Sequence, residues 1–242
     1  MSDESGPFAL VIGGASGIGA AVVEAYRGQG MTAVTWDIAG RHDVTCDVRD
    51  PDAIDDAVGL TRMRWGIPTA VTVTAGVGHS GLLRDAEPDE FDHVMRVNAR
   101  GPWLCMRAWV GAMREQQIGG SFIAVSSISA RLVDRSMGIY CASKAALSML
   151  AQVAAVEWGP FGIRVNAIAP GVTRTPMLGS GPALSVEGSP WLAGVTERTA
   201  LGRIGEPEDI AQSIIALHSM EWVTGQVLEC DGGLSLQSPI IP

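Results

Sequence analysis

With 242 residues, 47% hydrophobic and 18% charged, the chain can bury a sizeable core and does not read as a disordered segment. Its formal net charge of -9 is offset by no Lys/Arg cluster, which argues against a nucleic-acid or anionic-membrane surface and leaves small molecules or proteins as partners. Four cysteines, Cys46, Cys105, Cys141 and Cys230, form neither a CxxC pair nor a metal-ligand spacing with the four histidines, so reduced structural thiols and no metal site are expected.

Residues 1–7 are acidic and polar and are expected to be flexible, and the apolar run 8–12 is too short for a signal-peptide core or a membrane span, so a cytoplasmic protein is expected. Strand-like apolar runs then alternate with helical stretches, the pattern of βαβ units. Residues 8–12 read as a first strand, followed by a glycine-rich turn, a helix over 18–27, a second strand over 32–36 and a short third over 43–45. Asp50-Pro51 starts the next helix, with proline where a missing N–H is tolerated, and 70–74 is a fourth strand. Two helices, 88–97 and 102–116, precede a fifth strand over 121–126. Residues 138–158, dense in alanine, leucine and methionine, read as a long buried helix ended by Gly159-Pro160, with a sixth strand over 164–169. A helix over 207–218 and a seventh strand over 226–230 complete the series; 176–198, rich in Gly, Ser and Pro, reads as a mobile excursion.

Gly13, Gly17 and Gly19 lie between the first strand and first helix, where glycine permits a tight turn and brings backbone N–H groups, those around Ser16 and Ile18 included, against a pyrophosphate. Asp37 ends the second strand, the place from which a carboxylate binds ribose hydroxyls. It would repel a 2′-phosphate, and neither Ser16 nor Ile38 offers a cation to compensate, which favours NAD over NADP. Asp47 and Val48, after the third strand, could cap an adenine edge, although a plain turn carboxylate explains Asp47 nearly as well. Asn98 is polar inside a helical stretch and needs buried partners if it faces inward. Ser127 ends a strand at the carboxyl edge of the sheet, where its hydroxyl can meet a substrate oxygen; Ser126 and Ser129 beside it make a serine there unexceptional by itself.

The most informative placement is that of Lys144, the only lysine, four residues after Tyr140, one of two tyrosines, and hence on the same helix face. An ammonium beside a phenol would favour phenolate and make tyrosine a usable acid or base. A solvated Tyr/Lys pair is the plain alternative.

Gly13/Gly17/Gly19, Ser127, the run Tyr140-Cys141-Ala142-Ser143-Lys144, Asn166 to Gly171 and the closing Asp231-Gly232-Gly233 together resemble the short-chain dehydrogenase/reductase family across nearly the whole chain. The resemblance implies one Rossmann-type domain over 1–242, a doubly wound and mostly parallel seven-stranded sheet, a nicotinamide cofactor and a homotetramer or homodimer. It also implies that Tyr140 is the general acid/base, that Ser127 holds the substrate oxygen, and that Lys144 binds the nicotinamide ribose and lowers the tyrosine pKa. Asn98 is similar to the family asparagine at a helix kink that places a relay water. Pro170, Gly171, Val172 and Thr175 match positions near the carboxamide and phosphates. Two departures stand out: Ile12 replaces the usual Thr before the first glycine, and Thr74-Ala75-Gly76 replaces Asn-Ala-Gly at the end of strand four, where Thr74 can still donate a hydroxyl hydrogen bond.

In the excursion 176–198, Met177, Leu178, Leu184, Val186, Trp191 and Leu192 could form an apolar lid; Ser129, Val133 and Met137 are placed to join the same pocket. That suggests a hydrophobic secondary alcohol or ketone, while packing under the loop explains the same residues. His79 reads more readily as a solvent-facing loop histidine than as a pocket residue. An NADPH-dependent 3-oxoacyl thioester reductase is a second reading, weakened by Asp37 and by the lack of a basic patch for an acidic carrier. A non-catalytic NAD-binding sensor is a third.

Overall fold

A computed structural model describes residues 6–179 and 189–236. Residues 1–5, Leu184 and Val186 within 180–188, and residues 237–242 lie outside the described residues. β1 (Phe8–Ile12) is buried along its whole length, as a strand covered on both faces must be. Phe8, Leu10 and Ile12 enter one core while Ala9 and Val11 enter the other. Around it lie β2 (Thr32–Asp37), β3 (Val44–Thr45), β4 (Ala70–Val73), β5 (Gly120–Val125), β6 (Ile163–Pro170) and β7 (Val227–Cys230). All seven are parallel in the order β3-β2-β1-β4-β5-β6-β7, the doubly wound Rossmann-type sheet expected. The chain leaves β1 toward one edge and returns through β4 toward the other, so a crevice opens over the carboxyl ends of those two strands.

α1 (Gly17–Gly28) and α8 (Pro207–Ser219) supply Val22, Val23, Tyr26, Ile210 and Ile214 to one core. On the other face α2 (Pro51–Trp65) is started by the Asp50 carboxylate, which accepts the Asp52 N–H at 3.0 Å. The residues read as two helices, 88–97 and 102–116, form one continuous run: α3 (Pro88–Met95) passes through a π-helical turn, Arg96–Arg100, into α4 (Gly101–Glu115). Pro102 is tolerated because it falls in the first turn of α4, where the wider π turn has already shifted the backbone register. Gly101 has no room for a side chain, since a Cβ would lie 2.8 Å from Val48 Cγ2.

α5 (Gly138–Trp158) has the expected bounds but is not buried throughout. Ile139, Ser143, Lys144, Leu147 and Ala151 face inward, whereas Met149, Val153 and Val156 stand 58%, 45% and 79% exposed. With the short turn that follows, it is apolar and long enough to cross a membrane by length and composition, yet its inner face packs on the sheet as a core helix does. The excursion 176–198 is more regular than its composition suggested. It contains α6 (Pro176–Gly179) and α7 (Pro190–Arg198), the latter started by Ser189, whose hydroxyl accepts the Leu192 N–H at 3.2 Å.

Beneath the crevice, the His218 ring joins β4 to β5 through Thr72 Oγ1 at 3.0 Å and Ser121 Oγ at 2.9 Å. Burial, aided by the Arg164 guanidinium, lowers its pKa to about 3. An unfolded chain binds a proton here from about pH 6.5 downward while the folded chain does not. Folding stability should therefore fall as pH drops from about 6.5 toward about 3, with up to ~1.4 kcal/mol per pH unit from this ring. Urea melts at pH 7 and 5, with NMR of the His218 ring nitrogens showing no protonation at pH 5, check this.

Candidate active site

The glycine loop is set by its neighbours as much as by its own freedom. Gly13 has φ +87°, and a Cβ there would lie 2.5 Å from the Ala75 amide nitrogen and 2.7 Å from Thr74 Oγ1. Thr74 Oγ1 donates to the carbonyls of Ile12 at 3.0 Å and Gly13 at 2.8 Å, and the Thr74 and Ala75 N–H groups both donate to Ile12 O. The threonine that departs from the family pattern thus ties the end of β4 to the turn after β1. Ser16 stands at the N-cap of α1, its side chain takes none of the first-turn N–H groups, and no acidic residue lies in that turn. The helix N-terminus therefore presents its dipole and amides to an anion.

At the end of β2, Asp37 Oδ2 accepts the Ala15 N–H at 3.0 Å and Oδ1 accepts that of Ile38 at 2.7 Å, which holds the carboxylate against the same loop. The expected adenine cap is only half available. Val48 turns its side chain into the core, and Asp47 is paired with Arg49 at 2.6 Å, a hydrogen-bonded contact that lowers the carboxyl pKa. After β6, which ends at Pro170, a Cβ on Gly171 would lie 2.7 Å from Asp231 Cβ, and Val172 O accepts the Gly205 N–H at 2.9 Å. Thr175 comes back over the glycine loop, its Cβ 3.4 Å from where a Gly17 side chain would begin.

On the other flank of the crevice, Asn98 is fully buried in the π turn. Its Oδ1 accepts the Val77 N–H at 2.8 Å, and its Nδ2 donates to Val77 O at 2.9 Å and to Ser143 Oγ at 3.1 Å, the buried partners its position required. Gly76 lies alongside: a Cβ there would sit 3.4 Å from both Asn98 Oδ1 and Lys144 Nζ. Lys144 is buried, donates to Val125 O at 2.8 Å, and has its ammonium 5.8 Å from the centre of the Tyr140 ring. Burial lowers the Lys144 pKa to about 8.

Ser127 caps the short turn Ile128–Ala130, its Oγ accepting the Ser129 N–H at 3.1 Å. Its hydroxyl also acts on the Tyr140 phenol, favouring the ionised form. The tyrosine pKa moves opposite to the expected direction: burial raises it, the Ser127 hydroxyl works against that, and Cys141 and Asp134 add to the rise. Desolvation of the phenolate is the largest contribution, and Lys144 donates to a backbone carbonyl rather than to the phenol.

These are the features by which known proteins can be compared. A family model described as enoyl-(acyl carrier protein) reductase matches residues 13–235. The chain belongs to the short-chain dehydrogenase/reductase family. It is 33% identical to a 2,5-dichloro-2,5-cyclohexadiene-1,4-diol dehydrogenase of Sphingobium indicum, covering 97% of this chain and 99% of that one. It is 32% identical to the 3-oxoacyl-(acyl-carrier-protein) reductase of Thermotoga maritima, over 95% and 98% of the two chains. A short-chain type dehydrogenase/reductase from Mycobacterium marinum superposes with a TM-score of 0.88 at 27% identity, over 97% and 98%. Membership implies that this oxidoreductase binds NAD or NADP, and the glycine loop, the acid-free helix start and Asp37 suit a dinucleotide's pyrophosphate and ribose.

Of the residues expected to line a substrate pocket, Met137, Leu178 and Trp191 are partly buried and Met177 is 40% exposed, with its Cγ 3.7 Å from where a Gly78 side chain would begin. Val133 is 97% exposed and builds no wall. His79 does not face solvent as read from the sequence: its side chain is 9% exposed, with Nε2 3.9 Å from Glu90 Oε2. Asp134 was missed altogether. Ser129 Oγ donates to its Oδ2 at 2.6 Å, and its backbone carbonyl accepts the Met137 N–H at 3.1 Å. Nothing in an Arg-rich surface turn distinguishes that aspartate until the chain is folded. Gly19→Ala would drive a methyl to 2.6 Å from Thr74 Oγ1 and into the Gly13 carbonyl, so NADH affinity should fall at least about tenfold and thermal stability should drop by about 1–3 kcal/mol, read by fluorescence titration and melting.

Proposed function

We propose that the protein exchanges hydride between NAD and a hydrophobic secondary alcohol or ketone, acting as an alcohol dehydrogenase/ketone reductase with Tyr140 as general acid/base. The observation that carries this reading is the convergence at the carboxyl edge of the sheet of Ser127, whose hydroxyl favours ionisation of the Tyr140 phenol, with the buried Lys144 ammonium 5.8 Å from the tyrosine ring. Ser127 orients the substrate oxygen and Tyr140 takes or returns its proton. Lys144 binds ribose hydroxyls through an ammonium that is present below about pH 8. Asn98 fixes the backbone at Val77 from which a water relay can lead to solvent. Gly13, Ser16, Gly17, Ile18 and Gly19 hold the pyrophosphate; Thr74, Ala75 and Gly76 wall the crevice, and Pro170, Gly171, Val172 and Thr175 close it from the far side. When bound, the nicotinamide supplies the carbon that accepts or donates hydride.

Asp37 supports NAD over NADP, because Ile38, 62% exposed beside it, provides no cation for a 2′-phosphate. A ring-alcohol substrate draws support from the diol dehydrogenase relative, and the acyl-carrier reductase relative keeps the 3-oxoacyl thioester reading as the alternative. The net charge of -9 weighs against docking of an acidic carrier. The chain reads as one domain over 1–242, cytoplasmic, with no nucleic-acid or membrane partner. It forms a homotetramer or homodimer, for which the groove of about 660 Å³ lined by Met95, Trp103, Met149 and Val153 offers an apolar subunit contact.

Oxidation of cyclic and aromatic secondary alcohols should proceed with NAD at least about tenfold better than with NADP. The rate should rise with pH on the alkaline side, as the raised Tyr140 pKa requires. Tyr140→Phe should cost at least about a thousandfold in kcat with NADH binding retained, and Lys144→Arg at least about tenfold. Nicotinamide absorbance reads these outcomes; tight NAD binding with no turnover of any alcohol would favour the sensor instead.

A further inference from the structure

Asp134 lies one hydroxyl away from the reacting groups. Ser127 Oγ, which favours ionisation of the Tyr140 phenol, accepts the Ser129 N–H at 3.1 Å, and the buried Ser129 hydroxyl donates to Asp134 Oδ2 at 2.6 Å. The aspartate backbone carbonyl accepts the Met137 N–H at 3.1 Å, so the turn leading into α5 is held by both ends of one residue. Unlike the serine, Asp134 is exposed, and its field reaches the Tyr140 phenol. The strong cation nearest in sequence on the Ser127 side, Arg131, is engaged in a two-point pair with Glu229 at 2.8 and 3.0 Å. Arg135, exposed and next in sequence, is the neighbour left to moderate the charge.

We propose that Asp134 is a specificity-determining residue: its second carboxylate oxygen accepts a hydrogen bond from a hydroxyl or ammonium group that the substrate carries in addition to the reacting hydroxyl, and its charge rejects anionic alcohols. The inference rests on the alcohol/ketone reading above and narrows it. The preferred substrate is an otherwise apolar alcohol with a second hydrogen-bond donor at one end. A carboxylate there would face a like charge held in place by Ser129, which is the repulsive half of specificity. A donor there would meet an acceptor already oriented by Ser129, so no ordering is needed when substrate arrives.

The test compares oxidation of 1-amino-2-propanol, propane-1,2-diol, 2-butanol and 3-hydroxybutyrate by the wild type, Asp134→Asn and Asp134→Lys. In the wild type kcat/KM should rank the cation and the diol above the neutral mono-alcohol, with 3-hydroxybutyrate at least about tenfold below it. Asp134→Asn should raise the 3-hydroxybutyrate to 1-amino-2-propanol ratio at least about tenfold, mainly through KM, and Asp134→Lys should carry the ratio past unity. The same ratio is read without turnover, by the affinity of aminoacetone against acetoacetate for the NADH-loaded protein in fluorescence titrations. If no alcohol is oxidised yet the binding ratio moves with residue 134, the dehydrogenase reading fails and the assignment of Asp134 stands. A ratio that stays within about twofold across the three proteins, or an equal loss on all four alcohols, overturns the assignment.

Discussion

Three elements distant in the chain meet at the carboxamide of Asn98: the π turn that carries it, the loop after β4 through Val77, and α5 through Ser143. Both amide hydrogens and the oxygen have partners, which matters because an unpaired polar group in this fully buried position would cost about 1–3 kcal/mol. The amide pairs with the backbone of Val77 as a neighbouring strand would, and so continues order past the end of β4. Gly76 is carried to the edge of Lys144 by that constraint, and Lys144 is presented to the crevice rather than to bulk water. The π turn is the means: the extra residue per turn rotates Asn98 inward without ending the helical run.

A second constraint comes from desolvation. Taking Lys144 out of water is costly, and the chain offsets it with the Val125 carbonyl at the end of β5. The same burial that lowers the lysine pKa to about 8 raises that of Tyr140, so the environment favours the neutral form of both. Ser127 is the one protein group acting on Tyr140 in the opposite sense, which makes the Ser127–Tyr140 pair, rather than the lysine alone, the tuning element of the site.

Across the crevice the departure at Thr74 turns out to be a substitution of means. An amide at the end of β4 would bridge to the turn after β1 with two functional ends; the threonine hydroxyl reaches both Ile12 and Gly13 carbonyls with a single oxygen. Gly13 and Gly19 are then glycines because of that oxygen as much as because of backbone conformation, since Thr74 Oγ1 occupies the space their side chains would need.

Much of the fold was legible in the sequence because its signals are local. An unbroken apolar run marked β1, the Asp50-Pro51 pair marked the start of α2, and a spacing of four put Tyr140 and Lys144 on one helix face. The same locality explains why Gly13, Gly17, Gly19 and Asp37 could be placed around one crevice before any coordinates. What depended on packing was not legible: the π turn that fuses two expected helices, the helix hidden in a Gly/Ser/Pro-rich stretch, the burial of Val48 and the exposure of one face of α5. The pKa of Tyr140 belongs here too, because its sign is set by how much water the assembled chain removes and by where Lys144 points, and neither quantity exists in a spacing. The sequence by itself determined which chemical groups the chain carries and at what intervals; the tertiary structure decided which of them face each other, as Ser129 faces Asp134, because desolvation and hydrogen bonding act between residues that only folding brings together.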